Sequence, residues 1–311
     1  MEQNKQRIVV KVGTSTLTHN SGALDLWSME HLVRTLADLQ GMGHEVILVS
    51  SGAIAVGTAK LGLSERPKEL RMKQAAAAVG QCRMMHIYDK FFSEYNRSMA
   101  QILLTGDDVE DPERAEHLSN TFSALLEMGV IPVVNENDSV SSAEIETGRH
   151  KVLGDNDTLS AIVAELCRAD LLVLLSDIDG LYDADPKTHP EAKLLHQVTE
   201  LTPEILEMAG GAGSWRGTGG MATKLSAARI AMAAGCDMVI ANGAHPELLY
   251  DIAEGRAVGT RFAALLNKGQ QRHGLPEKER RQRNRSGAVF ALCLCAVFGL
   301  AWLAVHLFQA G

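Results

Sequence analysis

Short apolar runs of strand length alternate with stretches of helical periodicity along most of the chain. Arg7–Val12 is a β-branched run that ends at Gly13. From about Ser28, Leu32, Val33, Leu36 and Leu39 recur at helical spacing until Gly41 and Gly43, where glycine favours a stop. Glu45–Val49, Met99–Leu104, Val130–Val134, Asp170–Leu175 and Asp237–Ala241 read as further strands. Helical patterns fill most intervals, notably Glu113–Met128, Asp157–Arg168 and Met221–Ala234. Short apolar strands bounded by helices belong to a parallel sheet covered on both faces. The pattern therefore predicts an α/β protein, a three-layer αβα sandwich with a mostly parallel central sheet. There is no internal repeat.

In such sheets ligands bind beyond the carboxyl ends of the strands. Four polar clusters each follow a strand: Gly13–Thr16, Ser50–Gly52, Asn135–Asp138 and Ser176–Asp177. They are expected to converge on one edge of the sheet.

Composition adds domain organisation. The net charge of −8 hides an asymmetry: residues 268–285 hold seven Lys/Arg against Glu277 and Glu279, and residues 286–311 carry no Asp, Glu, Lys or Arg. The basic stretch contributes +5 and leaves −13 for residues 1–267, which disfavours nucleic acid as a partner. Cys82, Cys167 and Cys236 lie in apolar contexts and read as reduced core residues. No C-x-x-C pair and no cysteine–histidine cluster at zinc spacing occurs. The N-terminus reads as a strand, not as a signal peptide, so the body is expected in the cytoplasm.

Residues 1–267 read as the catalytic domain and 268–285 as a basic linker. Residues 286–308 read as a transmembrane helix. Its 22 residues from Gly287 to Phe308 include one clearly polar member, His306. As a helix that span is roughly 33 Å long, enough to cross a hydrocarbon core. A buried core helix is the alternative. The basic flank predicts a body tethered to the cytoplasmic face.

The chain has no G-x-x-x-x-G-K-[ST] motif, which excludes a P-loop enzyme. Gly217–Ala222 fits the looser G-x-G-x-x-A dinucleotide pattern, but no convincing strand precedes it. Gly217–Lys224 reads better as a phosphate cradle. Its glycines let backbone N–H groups approach an anion, the following helix points its positive end there, and Lys224 adds a full charge. A merely flexible glycine-rich loop is the bland reading. Lys11 stands inside an apolar strand, where an unpaired charge is costly. It is either a functional charge or an edge-strand lysine that snorkels to water. Asn135–Asp138 and Gly154–Asp157 are two acid–amide clusters at strand and helix ends; Asp155 or Asp157 can equally be a helix N-cap.

Val9–Ser15, Val49–Gly57, Val134–Asp138, Gly154–Ser160, Ser176–Tyr182 and Gly217–Lys224 resemble the glutamate 5-kinases of the amino acid kinase superfamily. Six matching stretches run in the family's order across residues 7–260. The resemblance implies that Lys11 and Lys224 contact the phosphates of ATP and that Asp157 orients both lysines. It implies glutamate binding by Ser51, Asp138 and Asn156. Ser176, Asp177, Thr218, Gly219, Gly220, Met221, Ala222, Thr223 and Lys224 would hold the nucleotide, with Mg²⁺ accompanying it. It further implies a homo-oligomer, proline as a feedback inhibitor and a glutamyl phosphate reductase downstream. Many bacterial members carry a C-terminal PUA domain; here the basic linker and apolar segment stand in its place. The segment Glu146–Leu153 is longer than in the family. The competing readings are kinases of acetylglutamate, aspartate, UMP or carbamate, and a membrane-tethered amino acid sensor.

Overall fold

The computed structural model describes residues 5–140, 155–186, 188–208 and 220–264. The expected basic linker, the expected transmembrane helix, the Glu146–Leu153 segment, Thr218 and Gly219 lie outside the described residues. No described helix is long and apolar enough to cross a membrane.

The chain opens with β1 (Arg7–Val12), a short α1 (Thr14–Leu17), α2 (Leu26–Gly41), β2 (Glu45–Val49), α3 (Ala53–Lys60) and α4 (Leu70–Glu94). It continues through β3 (Met99–Leu104), α5 (Gly106–Glu110), α6 (Pro112–Glu127), β4 (Ile131–Glu136), α7 (Asn156–Cys167) and β5 (Leu171–Ser176). It closes with β6 (Gln197–Val198), α8 (Pro203–Met208), α9 (Met221–Ala233), β7 (Asp237–Asn242), α10 (Leu248–Ala253) and β8 (Thr260–Phe262). Eight strands form one sheet in the order β3-β4-β2-β1-β5-β7-β8-β6. Every pairing is parallel except β7 with β8. Because β1, β2, β4 and β5 run parallel, the four polar clusters that follow them do share one edge.

Side-chain alternation divides the core in two. Ile8, Val10 and Val12 of β1 pack on one face with α2, α3, α4 and α10. Val9 packs on the other face with α6, α7 and α9. The result is the expected αβα sandwich. The same alternation sends Lys11, in phase with Val9, to the α7/α9 side.

Helix starts follow local chemistry. Asp25 accepts from the N–H of Ser28 at the start of α2, and Asp111 caps α6 ahead of Pro112. Helices α3 and α4 cross at two glycines: a Cβ on Gly57 would lie 1.7 Å from the Ala76 carbonyl oxygen, and one on Gly80 1.8 Å from that of Ala53. Only hydrogen fits there, so the backbones touch. One expectation is corrected. Cys82 is exposed, whereas Cys167 and Cys236 are buried. On α4 the buried stripe runs through Ala76, Ala77, Gly80, Gln81, Met84 and Tyr88, and Cys82 falls beside it.

Candidate active site

Strand β1 lies between β2 and β5 at the centre of the sheet, so Lys11 is not an edge residue. It is 8% exposed, and its Nζ lies 2.6 Å from Asp157 Oδ1. Lys224, in the first turn of α9, is 4% exposed and places Nζ 3.1 Å from Asp157 Oδ2. Asp157 itself is 1% exposed. Thr223 Oγ1 also lies 2.9 Å from Asp157 Oδ2, and 2.7 Å from the Gly220 carbonyl. Strand β1, helix α7 and helix α9 thus each deliver one charge to a single point.

The sequence left open which acid caps α7. The structure assigns the cap to Asp155, whose Oδ1 accepts the N–H groups of Asp157 and Thr158 at 2.8 and 2.9 Å. That leaves the Asp157 carboxylate for the two lysines. Burial pushes the Asp157 carboxyl up, but the Lys11 and Lys224 ammonium groups outweigh it and hold the group below its usual range. Two buried ammonium groups thus share one carboxylate. A Cβ on Gly13 would sit 3.7 Å from Lys11 Nζ, so glycine there keeps the space beside the ammonium open.

A second, uncharged set adjoins the first. Asn156, the residue before Asp157, donates from Nδ2 to Ser51 Oγ at 2.6 Å and to the Ser50 carbonyl at 3.3 Å. The same nitrogen lies 3.5 Å from Asn135 Oδ1. Ser51 follows β2, and Gly52 beyond it takes φ +100°, a left-handed turn that glycine adopts without a Cβ penalty. That turn starts α3 directly after the serine. Asp138 is half-buried two residues beyond β4. Ser176 is buried at the end of β5 and donates to Asp177 Oδ1 at 3.1 Å, with Asp177 exposed. Gly220 caps α9, placing Met221, Ala222 and Thr223 in its first turn.

Sequence reasoning missed the supports behind this set. Gln81 Oε1 accepts from Asn135 Nδ2 at 2.9 Å, and Tyr88 hydrogen-bonds Ser50 Oγ at 2.9 Å. Burial pushes the Tyr88 phenol far up, so it stays neutral. The available signal was a glutamine within the small-residue run of α4.

A parallel sheet whose carboxyl edge gathers two buried lysines on one aspartate, beside a glycine-capped helix, defines a protein that handles phosphoryl groups. Residues 6–242 match the amino acid kinase family. The chain is 56% identical to the glutamate 5-kinase of Clostridium perfringens, over 84% of this chain and 97% of that one. It is 51% identical to that of Listeria innocua, over 84% and 94%. For the glutamate 5-kinase of Caldanaerobacter subterraneus the identity is 53%, over 84% of this chain and 68% of that longer one. The chain belongs to the amino acid kinase family and, within it, to the glutamate 5-kinases. Among solved structures, carbamate kinase from Giardia lamblia bound to AMP-PNP superposes with a TM-score of 0.59 at 16% identity, over 85% of this chain and 99% of that one. An isopentenyl phosphate kinase gives 0.57 at 18%, over 83% and 100%. At such identities the likeness concerns the fold alone.

Proposed function

We propose that the protein transfers the γ-phosphoryl group of ATP to the γ-carboxylate of L-glutamate, forming L-glutamyl 5-phosphate, the first step of proline biosynthesis. The observation that carries this reading is the Lys11–Asp157–Lys224 cluster, set beside Ser51 and Asn156 in a chain 56% identical to a glutamate 5-kinase.

A free γ-carboxylate has a pKa of about 4.3 and is already a nucleophile at neutral pH, so no general base is required. One carboxylate oxygen attacks the γ-phosphorus while the bond from that phosphorus to the β,γ-bridging oxygen breaks. ADP leaves with the electron pair. The obstacle is bringing two anions together and stabilising charge on the transferring group. Lys11 and Lys224 supply that charge, and Asp157 keeps them apart at fixed positions. Ser176, Asp177 and residues 218–224 would hold the nucleotide. Asp138, with Ser51 and Asn156, would hold glutamate. Among the described residues no three His, Cys, Asp or Glu side chains gather as metal ligands, and Asp157 is committed to its lysines. Mg²⁺ would accompany the nucleotide and spread the charge of its phosphates.

The product is an acyl phosphate prone to hydrolysis, and a glutamyl phosphate reductase would consume it. Proline inhibition and homo-oligomeric assembly are consistent with the family. Residues 1–267 would form the catalytic body, held at the cytoplasmic face by the linker 268–285 and the helix 286–308. The test is trapping with hydroxylamine. The full-length protein with ATP and Mg²⁺ is expected to form γ-glutamyl hydroxamate from glutamate, and to leave aspartate, acetylglutamate and UMP unphosphorylated. A folded sample with no turnover of glutamate would overturn the proposal.

A further inference from the structure

We infer that Gln81, on the far side of the sheet from the lysine cluster, is a positioning residue that holds Asn135 in place behind the glutamate site. This rests on the function proposed above.

The chain of amides can be read in one direction only. The backbone N–H of Glu136 donates to Asn135 Oδ1 at 2.9 Å, and a peptide N–H cannot accept. Asn135 Oδ1 is therefore the oxygen, and its Nδ2 must find an acceptor. Asn135 is 2% exposed, so water does not provide one. Gln81 Oε1 does, at 2.9 Å. The Gln81 amide is thereby turned so that Nε2 points away, and that nitrogen has no hydrogen-bond partner among the described residues although Gln81 is only 8% exposed. A buried donor left unsatisfied is costly. The orientation holds because reversing it would set two amide nitrogens against each other.

The consequence passes to the site. Asn156 Nδ2 donates to Ser51 Oγ and to the Ser50 carbonyl, which can only accept, and Asn135 Oδ1 backs the same nitrogen at 3.5 Å. Asn156 Oδ1 is then the acceptor that remains for substrate. Ser51 Oγ, already accepting from Asn156, keeps its proton to donate. One donor and one acceptor side by side suit the carboxylate and ammonium of an α-amino acid. Helix α4 is fixed against α3 by the Gly57–Gly80 contact, so Gln81 is held on a rigid support.

The test is steady-state kinetics of the full-length protein with three substitutions. Gln81→Met keeps the length and removes the acceptor. Gln81→Asn keeps the amide but withdraws it by one methylene. Gln81→Glu keeps an oxygen opposite Asn135 and replaces the unpartnered nitrogen by a second oxygen, with burial favouring the protonated acid. Gln81→Met and Gln81→Asn are expected to raise KM for glutamate about fivefold to tenfold, the effect of one lost buried hydrogen bond. Both kcat and KM for ATP should stay within about twofold, because the chain of amides ends at Ser51 and not at the lysines. Gln81→Glu should recover most of the wild-type KM. An unchanged KM in Gln81→Met, or a joint loss of kcat and of both KM values that Gln81→Glu does not rescue, would refute the inference. Wild-type turnover in the same assay reports separately on the proposed function, and the KM ratio can be read on whichever acceptor the wild type phosphorylates.

Discussion

Lys11 Nζ lies 2.6 Å from Asp157 Oδ1, a contact between the central strand and the first turn of α7. With Lys224 on the other carboxylate oxygen, Asp157 separates two like charges that otherwise repel each other in a buried site. The pairing is arranged for a third party. In the proposed reaction both ammonium groups would face the charge that develops on the transferring phosphoryl group.

Removing one lysine and removing the aspartate should therefore differ. Lys224→Ala leaves Asp157 paired with Lys11 and with Thr223, so the fold loses little. It is expected to lower kcat by about 10²–10³, the range for loss of one preorganised electrostatic group, with a small change in melting temperature. Asp157→Asn removes the charge of the carboxylate that both buried ammonium groups share. It should lose a comparable amount of activity and also several kcal/mol of stability, of order 3–5 where a buried pair is broken. Hydroxamate assays beside thermal melts separate the two. Wild-type activity in Lys224→Ala would remove that lysine from the mechanism.

Much of this site was legible in the chain because its residues interrupt regular patterns. A lysine in a β-branched run and acids at element ends stand out. The strands β1, β2 and β3 have the expected limits, since each is a predominantly apolar run between clear stops. Strands β6 and β8 were not foreseen; at two and three residues they are too short to show a period. Gln81 and Tyr88 escaped notice for a different reason. Their role is set by what α4 meets across the sheet, and nothing local in a helix dictates that. The choice between Asp155 and Asp157 likewise needed geometry, because both fit an N-terminal helix position.

Acid stability should fall in two stages. His44 is buried, and its Nδ1 accepts the N–H of Gln6 at 3.3 Å. Burial pushes its imidazole below the ordinary 6.5. A depressed histidine is neutral in the fold and binds its proton more readily when unfolded. Its contribution is complete above 6.5 and is lost as pH falls toward the lower folded value. Asp157, held below 3.8, keeps its contribution above that value and loses it as pH falls through its folded pKa. Thermal melts from about pH 7 to pH 3 should show both losses. Replacing His44 by Gln should flatten only the first. A melting temperature that rises on acidification from neutral would contradict the sign.

The Gly57–Gly80 crossing gives a prediction about packing alone. A methyl on either glycine meets a backbone carbonyl at under 2 Å, and backbone cannot rotate away as a side chain can. Gly57→Ala and Gly80→Ala should each cost at least about 1–3 kcal/mol in urea unfolding, the usual cost of overpacking. Gly62→Ala is the control for glycine loss, since nothing lies within 4 Å of where its methyl would sit, although its φ of +66° adds some backbone strain. Equal destabilisation at all three sites would show that backbone conformation, not helix contact, sets the cost.

The last prediction concerns residues 268–311. As a helix, the apolar stretch of 22 residues would expose more hydrocarbon than a surface helix tolerates and would lack the polar face of an amphipathic one. The seven Lys/Arg ahead of it add attraction to anionic headgroups, about 1 kcal/mol each near such a surface. Full-length protein is expected to sediment with membranes and to stay there through alkaline carbonate, whereas salt alone should not release it. Protein ending at residue 267 should appear in the supernatant. If the full-length protein is extracted by salt, the attachment is electrostatic and the span does not insert. If it never sediments, the apolar segment is buried in protein instead, and the tether is wrong.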